Sequence, residues 1–132
     1  MDTFIILLLN SNFFICVDWM KGTFMTGEFK ILEKETLAPE IKRLVVSAPL
    51  IAERAQVGQF AILRVDEKGE RFPLTLVDWN PAEGCITLVF LEVGVSTKKL
   101  GALKVGDQIL DLIGPLGNPA EIERYGEAAV IG

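Results

Sequence analysis

The chain has 132 residues, half of them hydrophobic, and a formal charge of −5; this suits one domain with a sizeable core and argues against a nucleic-acid binder, which needs clustered Lys and Arg. There is no histidine, so the commonest general base and the commonest metal ligand are both missing, and no residue stands out as catalytic or metal-binding. Cys16 and Cys85 lack CxxC spacing and sit in apolar runs, which reads as two structural thiols in a reducing, cytoplasmic compartment.

The first twenty residues, MDTFIILLLNSNFFICVDWM, hold two apolar runs broken by Asn10, Ser11 and Asn12. Neither approaches the roughly 20 apolar residues that a membrane helix needs. No basic segment precedes them, so a signal peptide is not expected either. The simplest expectation is that translation starts at Met20 or Met25 and that residues 1–27 are an extension. The alternative is a β-prone arm that pairs with an open strand edge.

From Glu28 onward, short strands separated by turn residues follow at intervals of about 10 residues, as in a sandwich or barrel. FKILEKETL alternates and ends at Pro39, IKRLVVSAP stops at Pro49, and QFAILRVD is the third strand. After the turn EKGE, RFPLTLVDW is the fourth. Asn80-Pro81 with Glu83-Gly84 then turns the chain into CITLVFLEV, apolar enough to be buried on both sides. STKKLGALK predicts a short helix with Ser96 as N-cap and Leu100 and Leu103 on one face. QILDLIG is a sixth strand and GPLGNP a turn leaving it. AAVIG then opens an apolar strand of the kind that leads into a nucleotide-binding βαβ unit. The expected fold is all-β: a six-stranded antiparallel Greek-key barrel with one short capping helix.

Two stretches carry chemistry. In ERFPLTL, a proline inside a strand removes a ladder hydrogen bond, so the backbone at Pro73 is expected to be open to something other than a neighbouring strand, such as a planar ligand. Arg71 offers donors suited to phosphate, and Thr75 a hydroxyl for a ring heteroatom. A plain edge strand with a surface arginine is the alternative. In VFLEVGVSTKKL, Gly94 and Ser96 place free amides at a helix start, where the dipole favours an anion such as a pyrophosphate. The alternative is a capped helix closing one end of a barrel, with Lys98 and Lys99 merely solvated.

Taken in order, VGQF (57–60), RFPLT (71–75), VFLEVGVST (89–97) and GPLGNP (114–119) resemble the FAD-binding barrel of the ferredoxin-NADP reductase superfamily. The resemblance runs from Glu28 to Gly132. It is to the group holding the small subunit of NADH-dependent ferredoxin:NADP oxidoreductase (sulfide dehydrogenase) and the electron-transfer subunit of dihydroorotate dehydrogenase. It implies that Arg71 meets the flavin diphosphate, that Pro73 and Leu74 pack on the isoalloxazine, and that Thr75 bonds near the reactive ring nitrogen. Val89, Phe90 and Leu91 would line the ribityl and adenine side, and Gly94, Ser96 and Thr97 would hold the pyrophosphate. There is one departure. In the widest form of the family's signature the arginine stands three places before the Ser/Thr, where this chain has Phe72.

The implied function is the FAD-binding domain of an NAD(P)H-dependent electron-transfer oxidoreductase. Its implied layout is an extension over 1–27, the FAD barrel over 28–119 and the start of a nicotinamide-binding domain over 120–132. In the full-length family NAD(P) and a [2Fe-2S] cluster join the flavin, and a larger oxidoreductase subunit is the partner. A homodimer is allowed; nucleic acid and membrane are not expected partners. This stretch alone is not expected to take hydride from NAD(P)H. The rivals are a non-catalytic β-barrel that binds or docks a subunit, and a barrel that holds FMN.

Overall fold

The computed structural model describes residues 28–131, together with the backbone of two short strands, β1 (Ile6–Leu8) and β2 (Phe14–Cys16), which pair antiparallel. The rest of the 1–27 extension, its start site and the Cys16 side chain lie outside the described residues. Then come β3 (Phe29–Ala38), β4 (Ile41–Ser47), α1 (Pro49–Arg54), β5 (Phe60–Arg64), β6 (Phe72–Thr75) and β7 (Asp78–Asn80). They are followed by β8 (Cys85–Leu91), α2 (Val95–Ala102), β9 (Gln108–Ile109) and β10 (Asp111–Leu116).

The fold is all-β and antiparallel, as expected, in two sheets of order β10-β5-β6 and β7-β8-β4-β3-β9. Pro39 and Glu40 turn β3 into β4, with Glu40 at φ 62° as the third residue of the turn. β4 and β8 share an unbroken ladder from Ile41↔Leu91 to Ser47↔Cys85. Period two then sends Ile86, Leu88 and Phe90 inward against Leu44 and Val46, in a core that also holds Ile31, Ala61, Leu63 and Leu112. Each fully buried aliphatic side chain contributes about 1.5–3 kcal/mol. CITLVFLEV is buried on both sides over its first four residues, Cys85 to Leu88.

Four expectations differ from the structure. RFPLTLVDW is two strands: Leu76 N–H donates to Gln59 O (3.0 Å) in one sheet, and Val77 N–H donates to Thr87 O (3.1 Å) in the other. The chain therefore crosses between sheets at a corner between residues 76 and 77. QILDLIG bends likewise: β9 pairs with β3 and β10 with β5. Six strands thus become eight beyond residue 28, and the ladders among the described residues do not close into one barrel. A second helix, α1, follows β4; it has proline in its first turn and buries Ile51 and Ala52. Finally, residues 128–131 form no strand and are exposed. Among the described residues no helix is long and apolar enough to cross a membrane.

Candidate functional site

Among the described residues β6 pairs only with β5, in the register Phe60↔Thr75 to Leu63↔Phe72. The bond from Leu76 N–H to Gln59 O sets the alternation: ladder bonds fall on the pairs of Gln59, Ala61 and Leu63. Pro73 and Thr75 occupy the positions between, whose backbone groups point away from β5. Pro73 therefore breaks no ladder bond, a correction to the sequence expectation; an N–H there would face the free edge. The consequence drawn from it stands, since β6 is an edge strand and presents Thr75 N–H and C=O along that edge.

The two faces of β6 differ. Phe72 and Leu74 are half-buried and pack on the core, whereas Arg71, Pro73 and Thr75 are exposed. Arg71 Nη2 donates to Asp111 Oδ2 at 3.0 Å, and Arg64 Nε donates to the same oxygen at 2.9 Å. Two guanidinium groups thus share one carboxylate on the β5–β10 pair.

In β8 the side chain of Phe90 belongs to the core, while Val89 is half-buried and Leu91 exposed on the opposite face. The chain then reaches α2, whose N-cap is Gly94, not Ser96. Thr97 does the capping. Its Oγ1 accepts the N–H of Val93 (3.1 Å) and of Gly94 (3.0 Å) and donates to Gly94 O (3.1 Å). The amides of Val95, Ser96 and Thr97 have no carbonyl one turn back. No acidic residue in the first turn offsets the positive end of the helix dipole.

A cavity of about 470 Å³ lies between this helix start and the loop before β6, lined by Lys68, Gly69, Glu70 and Phe72 on one side and Val93–Thr97 with Lys99 on the other. It unites Phe72 with Gly94, Ser96 and Thr97 from two separate motifs. Arg71, Pro73, Leu74, Thr75, Val89, Phe90 and Leu91 do not line it. Leu74 shares the Phe72 side of β6. Sequence reading missed Lys68 and Glu70 as lining, because EKGE carries only the signal of a turn, and it read Lys99 as merely solvated, which is corrected here by its contact with Asp66.

Lys99 ties the two walls together: its Nζ lies 2.9 and 3.2 Å from the Asp66 carboxylate oxygens. Asp66 also accepts the N–H of Lys68 (2.9 Å) on its side chain and that of Gly69 (3.0 Å) on its carbonyl. The hydrogen bond from Lys99 foremost holds the Asp66 carboxyl below the usual range, with the loop amides adding to it. GPLGNP proves to be the end of β10 and a turn, where Gly117 accepts Gln59 Nε2 at 2.9 Å. Among the described residues no cluster of ligating side chains is placed for a metal ion.

Unpaired helix-start amides beside Phe72 offer one polar and one apolar group to a ligand. Gly94 is extended (φ −135°) and a Cβ there would meet nothing within 4 Å, so neither backbone nor packing demands glycine. The cavity falls within the about 300–1,000 Å³ typical of small-molecule sites.

No family model matches the chain. It is 43% identical over 103 residues to a dihydroorotate dehydrogenase B electron transfer subunit homolog of Thermotoga maritima, covering 78% of this chain and 36% of that one. The corresponding subunit of Shouchella clausii is 31% identical over 110 residues, covering 80% and 42%. The solved structure of an NADH-dependent reduced ferredoxin-NADP oxidoreductase, studied for flavin-based electron bifurcation, matches with a TM-score of 0.73 at 42% identity. The chain belongs to the ferredoxin-NADP reductase superfamily. That superposition covers 76% of this chain and 37% of the solved one. A cytochrome P450 reductase of Amycolatopsis, 23% identical with a TM-score of 0.60, shares the fold. The chain spans about two fifths or less of the two curated relatives' length.

Proposed function

We propose that this chain is the FAD-binding domain of an NAD(P)H-dependent electron-transfer oxidoreductase. The observation that carries the reading is a cavity that joins Phe72 of RFPLT to the start of α2. In this reading the amides of Val95–Thr97 bind the diphosphate oxygens, and the Thr97 hydroxyl holds the Val93–Gly94 backbone in place for it. Thr75, at the free edge of β6, offers a hydroxyl and an N–H to the polar rim of the isoalloxazine. Pro73, exposed on the same face as Thr75, packs on its apolar surface, while Leu74 and Phe72 support β6 from the core side, with Phe72 reaching the cavity; Val89 and Leu91 serve the ribityl and adenine side. Bound flavin would supply the exchange between two-electron and one-electron carriers.

The relatives' names, electron transfer subunit and NADH-dependent oxidoreductase, support the rest of the reading. In the complete protein, NAD(P) and a [2Fe-2S] cluster bind outside residues 28–119, with 120–132 leading toward the nicotinamide part, and a larger oxidoreductase subunit is the partner. The thiol of Cys85, free and buried, fits a reducing, cytoplasmic setting. Titrating the chain with FAD, FMN and riboflavin tests the proposal. One equivalent of FAD should bind, with shifted visible bands, more tightly than FMN or riboflavin. A docking barrel would bind none of the three, and an FMN barrel would prefer FMN.

A further inference from the structure

The superfamily signature places an arginine three residues before the Ser/Thr, and in this chain Phe72 stands there and lines the cavity. Arg71, one place earlier, does not line the cavity; it is exposed and bound to Asp111 beside Arg64. A diphosphate on the amides of Val95–Thr97 would gain from a cation supplied elsewhere on the cavity wall. The cavity walls hold two, Lys68 and Lys99. Lys99 is spoken for by both oxygens of Asp66. Lys68 has no ion-pair partner among the described residues, and its loop is fixed by the two amide bonds to Asp66. That turn sets Lys68 on the wall facing the free amides of Val95–Thr97. Glu70 lines the cavity too. With Lys99 offset by Asp66, losing Lys68 would leave Glu70 as the unbalanced charge, and the lining would repel an anion.

We propose that Lys68 makes the cationic contact to the ligand's diphosphate, the role the family signature gives to an arginine, and that Arg71 does not. The inference rests on the FAD reading above. Its test compares Lys68→Met, Lys68→Arg and Arg71→Gln with the wild-type chain, measuring dissociation constants for FAD, ADP and riboflavin at low and high salt. Loss of one charge-assisted contact corresponds to about tenfold in affinity. Lys68→Met should weaken FAD and ADP by about that factor, leave riboflavin and Tm unchanged, and flatten the salt dependence. Lys68→Arg should restore FAD affinity, and Arg71→Gln should change it less than about twofold. The proposal is overturned if Lys68→Met leaves FAD untouched, if it weakens FAD and riboflavin alike, or if Arg71→Gln carries the tenfold loss. A wild-type chain that binds no flavin at all removes the FAD reading and this inference with it, an outcome distinct from the other three.

Discussion

Replacing Thr97 by alanine tests how the start of α2 is held. The hydroxyl accepts two backbone N–H groups and donates to one carbonyl, at 3.0 to 3.1 Å, which uses its donor and both acceptor positions. Val93 and Gly94 are exposed, so water replaces part of what is lost. Removing a capping hydroxyl costs about 0.5–2 kcal/mol, and with this exposure we place the loss near 1 kcal/mol. For a folded unit of this size that lowers Tm by about 4–8 °C. Thr97→Ser keeps the hydroxyl and should stay within about 2 °C of wild type by the same scaling. Thermal unfolding followed by circular dichroism gives Tm, and an FAD titration of the same samples should show weaker binding for alanine alone. If alanine and serine variants melt together at the wild-type temperature, the hydroxyl does not hold the loop and the capping argument is wrong.

Gly94→Ser should keep the unfolding free energy within about 0.5 kcal/mol of wild type, because serine is a good N-cap and its Cβ meets nothing, yet it should weaken FAD; equal FAD affinity would place the ligand elsewhere. Asp66 has a lowered folded pKa, so its bond to Lys99 is fully formed above the ordinary carboxylate value of about 3.9 and is lost as pH falls through the folded value. An NMR titration should therefore show Asp66 titrating below that value and moving up in Lys99→Met; an unmoved midpoint contradicts the assignment. Burial, then the charges of Glu83 and Glu33, push the Cys85 thiol up. In a Cys16→Ser background Cys85 should resist iodoacetamide at pH 8 until the protein unfolds, and rapid labelling of the native protein would count against its burial.

Much of the fold is legible because period two and the turn residues agree over β3, β4, β5 and β8, where Pro39, Pro49 and Gly84 mark the ends. The corners are not. Leu76 is buried and Val77 exposed, so the alternation runs straight through the bend, and only the tertiary partners Gln59 and Thr87 show that the sheet has changed. α1 has one inward pair, Ile51 and Ala52, too little for a helical period to register. Of the residues singled out in the sequence, Gly94, Ser96 and Thr97 line the cavity, but the loop residues Lys68 and Glu70 come to it through the Asp66–Lys99 bridge, a contact across 33 positions that no local pattern encodes. The departure of Arg71 by one place is visible in the sequence; its consequence, a side chain turned to Asp111 on the other face, needed the strand register.

Amide chemical-shift mapping of the isotopically labelled chain during FAD titration shows whether FAD binds between β6 and the start of α2. The expected result is saturable shifts concentrated at Lys68–Phe72, Thr75 and Val93–Thr97, with ADP reproducing only those around α2. Shifts confined to the β3–β4 face, or none at saturating FAD, would contradict it.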